Sequence, residues 1–121
     1  MFKIDEKYNM HLNRGDQIII RLNSIDSSFS IGDTIVFSIM KKGNASEILF
    51  QKQFEIEKET ETYDIILTSQ ETRIGSPLKN GTATYWYEIE YNGINTLIGY
   101  FTDGPKEFIL YPEAVYQEGS I

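Results

Sequence analysis

The stretch Thr82-Ala83-Thr84-Tyr85-Trp86-Tyr87-Glu88-Ile89-Glu90-Tyr91, followed by Asn92-Gly93-Ile94, decides the fold. Ala83, Tyr85, Tyr87, Ile89 and Tyr91 alternate with Thr84, Trp86, Glu88 and Glu90. An extended chain sends successive side chains to opposite faces, so this period of two gives a strand with one apolar face. Asn-Gly tolerates positive φ at both central positions of a tight turn. Tyr91-Asn92-Gly93-Ile94 therefore predicts a hairpin into the next strand.

The same period recurs on both sides. Asp16 to Leu22 carries Ile18, Ile20 and Leu22 on one face, and Thr34 to Met40 carries Ile35, Phe37 and Ile39. Glu47 to Ile56 groups Ile48, Phe50, Phe54 and Ile56, while Thr62 to Leu67 groups Tyr63, Ile65 and Leu67. Thr96 to Phe101 and Glu107 to Tyr111 follow the hairpin, and Asn9 to Leu12 adds a short first strand. Arg14-Gly15-Asp16, Gly32-Asp33, Lys42-Gly43-Asn44 and Asp103-Gly104-Pro105 supply turns between them. The one helical signal is Ser69 to Ile74, with Thr68 or Ser69 as cap, Glu71 in the first turn and Gly75 as the stop. The expectation is an all-β, immunoglobulin-like β-sandwich of seven or eight antiparallel strands with one short helical turn. A small barrel is the alternative. At 121 residues, 40% of them hydrophobic, the chain has material for one core and reads as a single domain. Met1 to Tyr8 is expected to be an extended arm and 116–121 a loosely held tail.

Composition removes whole classes of chemistry. There is no cysteine and only one histidine, His11, so thiol catalysis, disulfides and multi-histidine metal centres are excluded. A net charge of −7 without a basic cluster argues against nucleic-acid binding. No apolar run approaches the roughly 18 residues of a membrane helix. The amino terminus turns acidic within a few residues, with no apolar signal region, so cytoplasmic assembly and no membrane partner are expected.

The remaining candidates divide between chemistry and architecture. Glu55, Glu57, Glu59 and Glu61 recur at period two, but a catalytic carboxylate pair needs one member desolvated, and this polar stretch reads as a solvated face. Asp26, Asp33, Asp103 and Glu113 form no dense calcium loop, and no cofactor or metal is expected. His11 alternates with Met10 and Leu12 and reads as a solvent-facing strand residue. Arg14-Gly15-Asp16 spells an integrin-type tripeptide, and a turn entering the first long strand explains it better. Trp86 points away from the apolar face of its strand, so it is a candidate subunit contact, loop-packing residue or glycan platform. Ile19, Val36, Ile66 and Ile98 also fall on nominal outer faces, which suggests that another chain covers part of the surface.

The order of motifs carries a resemblance. An amino-terminal strand leads into Arg14-Gly15-Asp16, then Gly32-Asp33-Thr34-Ile35-Val36-Phe37-Ser38-Ile39. Asp64-Ile65-Ile66-Leu67-Thr68-Ser69-Gln70-Glu71-Thr72 follows, then Gly81-Thr82-Ala83-Thr84-Tyr85-Trp86-Tyr87-Glu88-Ile89. Gly104-Pro105-Lys106-Glu107-Phe108-Ile109-Leu110-Tyr111-Pro112-Glu113 ends the series. This order resembles small immunoglobulin-like virion structural proteins of tailed bacteriophages and prophages, and is similar to the amino-terminal domain of upper baseplate proteins. The resemblance implies a non-enzymatic virion subunit, in baseplate or tail or as a head adaptor or decoration protein, with other virion proteins and copies of itself as partners. The sequence stops soon after Pro112, without the receptor-binding module of the baseplate relatives, which favours the adaptor, decoration or anchoring role. Contact would run through exposed strand edges and a patch around Trp86, with Ile98, Phe108 and Tyr111 as further interaction residues. A carbohydrate- or receptor-binding β-sandwich module is the alternative.

Overall fold

The computed structural model describes residues 1–113, and the expected tail at 116–121 lies outside them. Among the described residues the fold is all-β, with strands β1 (Phe2–Ile4), β2 (Met10–Asn13), β3 (Ile18–Asn23), β4 (Thr34–Lys41), β5 (Asn44–Glu55), β6 (Thr62–Leu67), β7 (Ala83–Tyr91), β8 (Asn95–Ile98) and β9 (Lys106–Tyr111). One sheet runs β1-β2-β9-β7-β4-β5, with β8 also paired to β7, and the second contains only β3 and β6. The β9-β7-β4-β5 series faced by β3-β6 has the strand order of an immunoglobulin-type sandwich.

The alternation seen in the sequence sets which side is buried. Ile35, Phe37 and Ile39 of β4, Tyr87 and Ile89 of β7, and Phe108 and Leu110 of β9 meet Ile18, Ile20, Ile65 and Leu67 from the small sheet. Phe37 lies at the centre, its ring stacked 5.8 Å from Tyr87 and edge-on at 6.1 Å to Phe108. Each such buried side chain stabilises the fold by about 1.5–3 kcal/mol.

Several expectations need correction, each for a nonlocal reason. Among the described residues nine strands form rather than seven or eight, and β2 runs parallel to β9, so the sandwich is not purely antiparallel. The arm Met1 to Tyr8 is not free: Phe2–Ile4 pairs antiparallel with β2, and the turn after it closes through Asp5. Ser69 to Thr72 makes a turn and not a helix. Thr68 and Glu71 do exchange backbone-to-side-chain hydrogen bonds (2.8 and 3.2 Å), as a capping box does. The chain then leaves that path, because the guanidinium of Arg14 collects the carbonyls of Arg73, Ile74 and Gly75 at 2.8–3.2 Å. Irregularities in pairing also reassign faces. At the β4–β5 bulge Ile39 pairs with Phe50 but Met40 with Ile48, which turns Ile48 outward. At the β7–β8 bulge Ile98 pairs with the buried Ile89, which turns Ile98 inward against the core.

Candidate functional site

Three connections meet at one end of the sandwich: 24–33 between β3 and β4, 56–61 between β5 and β6, and the Asn92-Gly93 turn. Backbone hydrogen bonds lock them together. Ser24 N–H donates to Glu61 O (2.8 Å), Phe29 and Thr60 exchange bonds of 2.7 and 3.1 Å, and Gly32 N–H donates to Ile56 O (2.9 Å). Asn92 N–H donates to Thr34 O at 2.8 Å. The carboxylate of Asp33 accepts from the Tyr91 hydroxyl, from Ser30 N–H (2.8 Å) and from the Asn92 side-chain amide (3.2 Å). The Tyr91 hydrogen bond, followed by the Ser30 amide, holds the Asp33 carboxyl below its ordinary range.

On this braced end stand three isoleucines with no place in the core. Ile25 is 83% exposed, Ile31 72% and Ile94 82%. Ile25 and Ile31 each precede a residue at positive φ, Asp26 and Gly32, so tight turns fix the chain at both points. Beside them a groove of about 710 Å³ opens between β3 and the β8 segment, with Leu22, Ile25, Leu97, Ile98 and Phe101 among its walls. The short bridge Phe101–Gly104 closes a turn that ends at the buried Lys106, whose Nζ donates to both oxygens of Asp103 at 2.7 Å.

The four interaction residues expected from the sequence do not form one site. Phe108 is fully buried in the core and is withdrawn as a surface contact, because it alternates on β9 with Lys106 and Leu110 on the inward face. Ile98 lies in the groove, on the inner side of the large sheet. Trp86 and Tyr111 lie on the opposite, outer side and are half-buried. Trp86 stands in register between Met40 and Glu107. Tyr111 donates or accepts at His11 Nδ1 (3.1 Å), and His11 Nε2 meets Asp5 at 2.9 Å. The imidazole is thus a half-buried clasp between the β1 turn and β9, not a solvent-facing side chain. The His11 hydrogen bond holds Asp5 below the ordinary carboxylate range against the opposing effect of burial.

The other candidates separate in space. Arg14 of the Arg-Gly-Asp tripeptide is buried and tied to Glu113 at 2.8 Å, so the tripeptide is a turn whose arginine is not displayed. Glu55, Glu57, Glu59 and Glu61 are all exposed. Asp33 and Asp26 sit at the loop end, whereas Asp103 is engaged by Lys106 and Glu113 by Arg14. Among the described residues no three His, Asp or Glu side chains stand as a metal site requires. Ile25, Ile31 and Ile94 were not singled out by periodicity, since they belong to no strand. Their signal was a β-branched apolar residue inside polar turn sequence. No protein-family model matches the chain, and a search of curated proteins returns no match.

Proposed function

We propose that the chain is a non-enzymatic structural subunit of a tailed-phage or prophage particle, in baseplate or tail or as a head adaptor or decoration protein. It works through contacts with other virion proteins and copies of itself, assembled in the cytoplasm of the bacterial host. The observation that carries the contact role is the loop end, where Ile25, Ile31 and Ile94 project from connections already hydrogen-bonded to one another. Burying such a side chain stabilises a complex by about 1.5–3 kcal/mol. A braced loop gives up little additional freedom on binding, so less of that gain is lost to ordering. The virion setting rests on the resemblance in motif order alone, and the apolar loop end bears only on the contact role.

A glycan-binding module fits less well. Sugar stacking calls for an open aromatic face, and Trp86, the ring expected to supply it, is half-buried between its cross-strand neighbours; the exposed rings are Tyr8 and Tyr100, and the loop end offers aliphatic side chains. The test is mass spectrometry on particles purified after inducing the source strain. Peptides of this chain at near-stoichiometric level are expected, and their absence from intact particles would overturn the virion reading.

A further inference from the structure

We infer that Asn80 is a site of spontaneous deamidation, where water converts the side-chain amide to a carboxylate and part of the product becomes isoaspartate. The site lies apart from the apolar loop end and depends on neither the contact role nor the virion setting. The chemistry starts from sequence. A backbone nitrogen that follows Asn or Asp can attack the side-chain carbon Cγ and close a five-membered succinimide ring. Glycine allows this most readily, because no Cβ obstructs the approach and its backbone rotates freely. The chain has three such dipeptides, Asn80-Gly81, Asn92-Gly93 and Asp103-Gly104. The fold restrains two of them and leaves the first open.

At Asn92 the side-chain oxygen accepts from Thr34 N–H (2.8 Å), and Nδ2 donates to Asp33 (3.2 Å). Its backbone is left-handed, with φ +54°, inside a turn closed by Ile94 N–H to Tyr91 O (3.3 Å) and flanked by the β7–β8 pairing. Ring closure there has to break both side-chain bonds and rotate the turn. At Asp103 both carboxylate oxygens accept from Lys106 Nζ at 2.7 Å. The nitrogen that would attack is also engaged, since Gly104 N–H donates to Phe101 O (2.9 Å). Local structure opposes such a reaction by the free energy needed to open it.

Asn80 lies in the connection from β6 to β7, beyond the carbonyls of 73–75 that Arg14 holds. Both Asn80 and Gly81 are exposed. Among the described residues 79–81 make no hydrogen bond, from backbone or side chain. A methyl group added to Gly81 would meet nothing within 4 Å, so no packing obstructs the approach of Cγ to the nitrogen. The atoms balance with water as the co-reactant. Gly81 N gives its proton to a solvent base and bonds to Asn80 Cγ, the Cγ–Nδ2 bond breaks, and ammonia leaves. Water then opens the ring. Attack at the side-chain carbonyl gives aspartate, and attack at the main-chain carbonyl gives isoaspartate, with an added methylene in the backbone. Either product adds one negative charge to the chain's −7.

The experiment ages the full chain in heavy-oxygen water and maps its peptides by mass spectrometry, with isoaspartyl methyltransferase marking the isomerised product. In the folded chain Asn80 should take up heavy oxygen about tenfold faster than Asn92 or more, with no isoaspartate at Asp103 over the same period. In urea, where the restraints on Asn92 are gone, the two asparagines should react within about twofold of each other. Gly81→Ala places a Cβ beside the attacking nitrogen and should slow Asn80 several-fold while leaving Asn92 as it was. Equal rates in the folded chain, or faster reaction at Asn92, would overturn the inference. A ratio that persists in urea would do the same, because sequence and not structure would then set it. Conversion of Asn80 without any isoaspartate would overturn the ring-closing route.

Discussion

The two ends of the sandwich solve opposite problems. At the base, Arg14 is buried and its guanidinium donates to three carbonyls of 73–75 and to Glu113. Thr72, fully buried, accepts from Gly15 N–H (3.1 Å) and donates to Asp16 O (2.8 Å). Polar groups there are removed from water and satisfied by one another. At the loop end the polar groups are also satisfied, yet they hold Ile25, Ile31 and Ile94 out in solvent. A cross-linked base stabilises the chain, and a braced apolar tip is disposed to stabilise a complex.

The sharpest way to break that contrast is at the base. Arg14→Ala would leave the Glu113 carboxylate and the carbonyls of 73–75 without their donor, and we predict a loss of about 3–5 kcal/mol in urea unfolding. Gly75 is next. Its φ is +73°, and a methyl group there would lie 2.6 Å from the Tyr85 hydroxyl, so Gly75→Ala should cost about 1–3 kcal/mol by the same measurement. The loop end should respond in the reverse sense. Ile25→Ser, Ile31→Ser and Ile94→Ser should each change stability by less than about 0.5 kcal/mol. Combined, they should abolish incorporation into particles in a complementation assay, and a triple variant incorporated normally would remove the tip from the contact.

The smallest expected effect is a pH dependence. Asp33 and Asp5 both have depressed carboxyl pKa values, the first through Tyr91 and the second through His11. A depressed folded pKa contributes stability that is present above the unfolded value and is lost as pH falls through the folded one. Acidification below the ordinary carboxylate range should therefore loosen the loop brace and the arm clasp while the core persists. NMR titration should show Asn92 and Asn9 amide shifts moving with those two carboxyls, and shifts that stay fixed to the acid limit of folding would contradict it.

What the sequence disclosed was mostly local. The Asn92-Gly93 hairpin is present with both residues at positive φ, and Tyr87 and Ile89 are buried as their period requires. The Thr68–Glu71 exchange was legible too, because its partners lie three residues apart. What stayed hidden depends on distant chain. The parallel β2–β9 pair joins residues about a hundred positions apart, and Arg14 diverts a turn roughly sixty residues downstream. Each bulge adds one residue to a strand and inverts the faces beyond it, which moved Ile48 outward and Ile98 inward. The candidate surface was the least legible part, since the expected set mixed the core residue Phe108 with outer-face residues Trp86 and Tyr111.

The division between a stabilising base and a contacting tip is tested most directly by hydrogen–deuterium exchange with mass spectrometry, comparing the free chain with the chain in purified particles. Slower exchange on assembly is predicted for 17–33 and 92–98, with 68–75 unchanged. Protection confined to 68–75, or to the outer strip around Trp86 with the loop end unaltered, would contradict it.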